Sequence, residues 1–240
     1  MKHMRVYFLV LVCSFIFLNK AKAQHYNHFT FWSRVIVQKE ISKKFQIQGE
    51  YHYRTQNDYH DATPNIFSES YFSGARLMFT YKHNTMSYSF APFYISSNIL
   101  AAKPADDLAQ TRKEFRPTFF VEKKIAIKKA SFNIRAGYEY RMIFKNDDFT
   151  PSGRLRTRFL LNYPIKNKSS IIFSEEPMIN ITPNASDNIF NQNQLYAGYN
   201  YKLSSVFDLE IGSMFSHRQR NNTTEFDEEL GLNLAIRAKL

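Results

Sequence analysis

Charged residues recur at alternate positions along much of this chain: Glu50, Arg54, Arg76, Glu114, Arg116, Glu122, Arg135, Glu139, Arg141, Arg154, Arg156, Arg158, Glu210, Glu229 and Arg237. On a β-strand, alternate side chains share a face. The run Arg154-x-Arg156-x-Arg158 therefore sets three guanidinium groups in a ladder. A guanidinium donates paired hydrogen bonds to a carboxylate or to another planar anion, so two chemistries fit the pattern. If the glutamates pair the arginines across neighbouring strands, the result is a salt-bridged, self-filled interior. If they do not, it is an arginine-lined path for an anionic solute.

Catalysis and metal binding are less well served. An acyl hydrolase needs a serine, a histidine and an orienting group together. Histidines 25, 28, 52, 60, 83 and 217 are available, but Ser216 and His217 are adjacent and so face opposite sides of a strand. His52 falls on the charged face, and His60 and His83 fall in connections. His25-x-x-His28 and the Asn57–Asp61 loop are the histidine-bearing clusters considered for metal, and neither supplies a closed ligand set. Asp106-Asp107 and Asp147-Asp148 read as solvated loop charge. The expectation is no catalytic residue, no metal site and no cofactor.

The elements that must carry these charges are strands. In Ser131–Arg141, Phe132, Ile134, Ala136, Tyr138 and Tyr140 share one face, and Asn133, Arg135, Gly137, Glu139 and Arg141 share the other. The same alternation recurs in Phe45–Arg54, Ser73–Tyr81, Met86–Tyr94, Glu114–Glu122, Arg154–Tyr163, Leu195–Lys202, Phe207–Ser216 and Leu230–Leu240. The register of Ser169–Ile181 stays open because Glu175 and Glu176 are adjacent, and Phe29–Lys39 is apolar on both faces. Repetition of this kind predicts an all-β, antiparallel transmembrane barrel with lipid outside and a polar lumen. The lumen network is Glu50, Arg54, Arg76, Glu114, Arg116, Arg135, Glu139, Arg141, Arg154, Arg156, Arg158 and Glu210. Phe132, Ile134, Tyr138, Tyr140, Phe159, Leu209, Ile211, Leu232 and Leu234 are assigned to the lipid face.

Short turns alternate with longer polar loops, the long ones at Thr55–Asn65, Ser97–Gln110, Lys145–Ser152 and before Leu195. That is the pattern of short periplasmic turns and longer outer loops. Tyrosines at strand ends suggest two interfacial girdles. The segments count to eleven, whereas bacterial single-chain barrels have an even number. Twelve strands are therefore expected, with Gln24–Thr30 supplying the extra crossing, and ten is the alternative. A chain beginning on the outer side is awkward. A soluble lipocalin-like barrel, with its apolar faces turned inward, is the rival architecture.

Met1–Arg5 is basic, Val6–Leu18 is apolar, and Ala21-Lys22-Ala23 is a small-x-small site. Residues 1–23 thus read as a signal peptide cleaved after Ala23, and 24–240 as one barrel domain in the outer membrane. The apolar run falls short of the ~20 residues of a spanning helix. Cys13 lies in that leader, so the mature chain is expected to hold no disulfide. The full chain carries 32 basic and 21 acidic residues. Loss of Lys2, Arg5, Lys20 and Lys22 reduces the excess from +11 to about +7. The remaining positive charge alternates with aromatics and does not cluster, which argues against nucleic acid.

Trp32 ahead of a turn, Gln48-x-Glu50-x-x-x-Arg54, Arg154-x-Arg156-x-Arg158 and Asn193-Gln194-Leu195-Tyr196-Ala197-Gly198-Tyr199 together resemble a bacterial family. It is the domain-of-unknown-function 2490 family, common in Bacteroidetes and grouped with outer-membrane barrels. The resemblance spans roughly the whole mature chain and implies the fold without an activity. Leu240 stands where such barrels usually end in an aromatic. The implied partners are outer-membrane lipid and the barrel assembly machinery. The role expected first is a structural or surface barrel with a largely filled lumen. A small anion-leaning pore or transporter is second, and a lipid-modifying enzyme third.

Overall fold

The computed structural model describes residues 23–61, 65–145, 148–166, 168–182 and 189–240. Residues 1–22 of the proposed leader 1–23, and the acid Asp147, lie outside them. Eleven strands run in chain order: β1 (Gln24–Glu40), β2 (Phe45–Gln56), β3 (Glu69–His83), β4 (Met86–Ser97), β5 (Arg112–Ile127), β6 (Ala130–Lys145), β7 (Asp148–Lys166), β8 (Ser169–Thr182), β9 (Phe190–Lys202), β10 (Phe207–Gln219) and β11 (Glu225–Lys239). Each pairs with its sequence neighbour, and β1 closes on β11 to complete the barrel. A single helical turn, α1 (Pro104–Asp107), lies in the β4–β5 connection.

The strand number corrects the expected twelve, and equally the alternative ten. Gln24–Thr30 makes no separate crossing, because it runs without a turn into the rest of the 17-residue β1. An up-and-down ribbon with an odd number of strands brings its first and last strands together running the same way. The closing pair is accordingly parallel, in register from Gln24↔Glu225 to Gln38↔Lys239, and every other pair is antiparallel. The parity rule assumes antiparallel closure, and here the closure is parallel. Parallel ladders have slanted, slightly weaker bonds than antiparallel ones, so β1–β11 is the seam of the barrel.

One end is built of short connections: 41–44, 84–85, 128–129, 203–206 and, between β7 and β8, a turn at 168. The other carries the β2–β3 connection, described at 57–61 and 65–68, and the β4–β5 connection 98–111. The long loop expected at Lys145–Ser152 does not exist as such. β6 runs to Lys145 and β7 resumes at Asp148, so the hairpin ladder holds through Lys145↔Asp148. Gln24 starts β1 at the long-connection end, where its N–H donates to the Thr224 carbonyl at 3.0 Å. That is the placement that read as awkward from the sequence, and the odd strand number then puts Leu240 at the opposite end.

Alternation decides what points where. Exposed on the outer surface are Tyr138, Tyr140, Ile211 and Leu232, together with Phe79, Phe90 and Phe119. Phe132, Ile134, Phe159, Leu209 and Leu234 are half-buried in the same outward register, and Leu234 also borders the interior cavity. Facing inward are the charged residues and a smaller apolar set: Ile36, Phe93, Ile95, Phe120, Met178 and Met214. β1 looked apolar on both faces because Ile36 and Trp32 turn inward. Trp32 there lies flat beneath the Arg54 guanidinium, 3.2 Å from the ring centroid. Stacked guanidinium–indole pairs of this kind contribute through both area and charge.

Candidate functional site: an arginine-lined lumen

β5, β6 and β7 present their inward positions to one another. Thr118 pairs with Glu139, Glu139 with Arg154, Gly137 with Arg156, and Arg135 with Arg158. Glu139, only 1% exposed, accepts from Arg154 Nε at 2.7 Å and from Arg156 Nη1 at 2.6 Å. Arg156 also forks onto Glu176, with Nε to Oε1 at 2.9 Å and Nη2 to Oε2 at 2.7 Å. Glu176 takes a further bond from Arg135 at 3.2 Å. Nearer the long connections, Arg141 makes a two-pronged contact with Glu114 at 2.8 and 3.1 Å, and Arg116 Nε joins the same carboxylate at 2.7 Å. Toward the short turns Arg158 reaches Glu122 at 3.2 Å.

On the opposite wall, Glu50 accepts from Arg76 and lies 2.7 Å from His52 Nε2. Glu210 accepts from the Tyr196 hydroxyl at 2.7 Å and from Arg34 at 3.5 Å. Arg54 stacks between Trp32 and Phe72 and has no carboxylate fork of its own in the ladder. All twelve residues assigned to the lumen network from the sequence thus sit on the inner wall.

Arg218 and Tyr71 were not placed on the inner face from the sequence, and Glu229 was placed there without its partners. Glu176 was left in an undecided register, which the structure resolves: Glu176 faces in, and Glu175 faces out toward Asn193 Nδ2 at 3.1 Å. Arg218 and Glu229 pair at 2.7 Å, with the buried Tyr71 hydroxyl donating to Glu229 at 3.0 Å. Their signal was weaker because β10 and β11 mix acidic, amide and aromatic residues near the long-connection end. Ser216 points inward and is fully buried, while His217 points outward, as adjacent strand positions must.

The space these groups enclose is about 500 Å³. It extends from Asn98 and Asn221 beneath the long connections to Asn162 and Arg237 near the short turns. Twelve arginines border it (34, 54, 76, 112, 116, 135, 141, 154, 156, 158, 218 and 237) against three glutamates, Glu114, Glu176 and Glu210. Other inward carboxylates, among them Glu50, Glu122, Glu139 and Glu229, are paired with arginines. The cavity surface is therefore cationic even where every acid is paired. Buried Nε–H groups of Arg54, Arg76, Arg112, Arg135, Arg158 and Arg237 have no hydrogen-bond partner. No protein acceptor uses these donors. A second hollow of about 600 Å³ opens on the outer surface among Phe45, Ile47, Phe79, Tyr88, Phe90 and Phe119, and is nearly all apolar.

The β4–β5 connection folds across the long-connection end. Leu100 and Ala101 are buried, and α1 turns Asp106 inward to Arg220, whose Nη1 lies 3.1 and 3.0 Å from the two carboxylate oxygens. Arg220 also donates to the Leu100 carbonyl at 2.9 Å and to Asp227 at 2.8 Å. His28 Nε2 lies 2.9 Å from the same Asp227 oxygen. Lys103 reaches Glu225 at 2.7 Å, and that bond raises the Lys103 pKa. On the rim, Tyr59 donates to Asp107 at 2.8 Å, and loss of hydration pushes its hydroxyl up to about 12. The neighbouring Asp58 side chain raises the His60 pKa, and the His60 backbone N–H lowers that of Asp58.

Tyr196 rests across two cross-strand glycines, Gly198 and Gly212, which pair in the β9–β10 ladder. A Cβ at Gly212 meets the Tyr196 hydroxyl at 2.5 Å and the Ala197 carbonyl at 2.6 Å, whereas one at Gly49 meets nothing within 4 Å. Gly212→Ala is expected to cost ~1–3 kcal/mol by overpacking and to lift Tyr196 off Glu210. Gly49→Ala should leave the unfolding midpoint in urea nearly unmoved. Equal midpoints for the two variants count against this packing.

A closed barrel, mostly antiparallel, around a charged lumen is a porin-type β-barrel. Residues 29–227 match the family described as "Protein of unknown function (DUF2490)", and the chain belongs to that family. Among solved structures it is similar to one titled "NanC porin structure in rhombohedral crystal form", with a TM-score of 0.51 and 12% sequence identity. The match covers 89% of this chain and 98% of the porin, and at that identity the likeness is one of fold. No curated protein matches.

Proposed function

We propose that this chain is an integral outer-membrane barrel whose arginine-lined lumen admits small anionic solutes, with the β4–β5 connection closing its outer mouth. The excess of guanidinium groups on the cavity wall, twelve against three glutamates, carries this reading over the filled structural barrel. A wall of fixed positive charge in a narrow, poorly hydrated passage favours anions and repels cations. The guanidinium groups lining the cavity suit a planar carboxylate or a phosphate. On this reading the exposed Phe79, Phe90, Phe119, Ile211 and Leu232 meet acyl chains, and the strand-end tyrosines lie at the two interfaces. Export by a cleaved leader and insertion by the barrel assembly machinery belong to the same proposal. So does the absence of a catalytic role.

The experiment is a planar bilayer recording of the purified protein under a potassium chloride gradient. The expected result is discrete steps with a reversal potential on the chloride side, shifted toward zero by Arg135→Gln with Arg158→Gln. Silence in the wild type, persisting after the mouth is released as described in the Discussion, rejects conduction and leaves the filled barrel.

A further inference from the structure

At the long-connection end of the seam, three side chains the lumen does not use converge on the outer surface. His25 on β1, Glu228 on β11 and His217 on β10 come from three adjacent strands and point outward. Both imidazole Nδ1 atoms approach a single carboxylate oxygen, Glu228 Oε1, at 2.9 Å from His25 and 2.6 Å from His217. The other oxygen, Oε2, is buried and has no hydrogen-bond partner. Phe226 stacks on both rings, with centroids 5.5 Å from His25 and 4.7 Å from His217, and Phe190 packs against His217 at 5.4 Å. The rings are thus held in place by packing.

Two imidazoles competing for one oxygen, beside a second oxygen with no partner, leave ligand capacity unused. One nitrogen from each histidine and a carboxylate oxygen lie within 4.8 Å of one another. We propose that His25, His217 and Glu228 form a divalent-metal site of the zinc class that staples β1 to the β10–β11 hairpin across the parallel seam. Zinc bonds imidazole nitrogen and carboxylate oxygen at about 2.0–2.2 Å, so tetrahedral ligand atoms stand about 3.3 Å apart. A modest outward shift of the two rings opens that spacing. Two nitrogens and a carboxylate suit zinc better than calcium or magnesium, which prefer all-oxygen shells. With three protein ligands the fourth position remains for water, and the half-exposed His25 leaves an entry path. Binding needs both Nδ1 lone pairs free, so each ring carries its proton on Nε2, and acid that protonates the rings releases the metal. Holding the parallel β1–β11 ladder at its long-connection end is the physical consequence. It is independent of whether the lumen conducts.

The test uses the full folded chain in detergent micelles, with Zn(II) as the only added ligand. Equilibrium dialysis with zinc quantitation should give one zinc per folded chain. Thermal unfolding should shift upward with rising zinc concentration. His217→Ala and Glu228→Gln should each weaken binding at least tenfold. His25→Ala changes only a half-exposed residue near the start of β1, so it keeps the test valid if the other variants do not fold, and it should weaken binding likewise. His60→Ala removes an exposed histidine beside Asp58 and Asp107 on the rim and should change nothing. Co(II) in place of zinc should give the intense visible absorption of a four-coordinate site. Substoichiometric zinc, unchanged affinity in His25→Ala, loss on His60→Ala, or the pale spectrum of six-coordinate cobalt overturns the proposal.

Discussion

Arg220→Ala should open the mouth of the barrel. The Arg220 guanidinium holds Asp106, Asp227 and the Leu100 carbonyl at once, in a setting where all three partners are buried. Truncating it leaves two carboxylates buried with their principal cation gone, which costs ~3–5 kcal/mol when the partner of a buried pair is removed. The β4–β5 connection can escape that penalty by swinging Asp106 into water, because Leu108 beside it is already 86% exposed. Each ~1.4 kcal/mol is tenfold in population, so undocking should become at least ~100-fold more frequent. Bilayer recordings should show longer open times and larger anion current. Trypsin should cut after Arg112, at the end of the connection, in the variant under conditions that spare the wild type. Arg220→Lys, which keeps the charge and loses the fork, should fall between the two. Unchanged current together with unchanged cleavage would remove the connection from any gating role.

The second large effect concerns Glu139. Its carboxylate is 1% exposed and bridges Arg154 and Arg156, with Arg116 Nη1 at 3.8 Å. Glu139→Gln removes the one negative charge shared by these guanidinium groups and leaves them repelling across a narrow, poorly hydrated space. The expected loss is ~3–5 kcal/mol, read as a lowered denaturant midpoint of the barrel refolded into lipid vesicles. Glu40→Gln provides the contrast. Its partner Lys82 lies 2.7 Å away, but both side chains are well exposed at the short-turn rim. Surface pairs of that kind contribute little, because water and salt screen them. Similar shifts for the two variants would mean that the lumen network is hydrated like a surface and does not hold the barrel together. Replacing Glu139 and Arg154 together by apolar residues of similar volume should recover part of the lost stability, because neither charge is then left buried alone.

Much of the fold was readable residue by residue. In β6, Phe132, Ile134 and Tyr138 alternate with Asn133, Arg135 and Glu139, and period-2 alternation fixes which of them share a face before any partner strand is known. The inner placement of Arg154, Arg156 and Arg158 follows from the same geometry. Register failed in β8, where Pro177 and the adjacent Glu175 and Glu176 blur the alternation. Only pairing with β7 and β9 turned Glu176 inward to Arg156. The two-faced apolar character of β1 was likewise local evidence that only Arg54 and Phe72, brought over from β2 and β3, could explain.

The sequence by itself determined that this is a strand-built barrel, which side of each strand is oily, and that guanidinium groups outnumber carboxylates on the other side. These are properties of single strands, and alternation along a backbone is a local matter. Tertiary structure alone decided the number of strands, the parallel seam and the docking of Asp106 onto Arg220. It also gathered His25, His217 and Glu228 at one edge of that seam. Each of these depends on how the ends of the sheet meet, and closure joins residues about 200 positions apart, such as His25 and Glu228, through hydrogen bonds that no local pattern encodes.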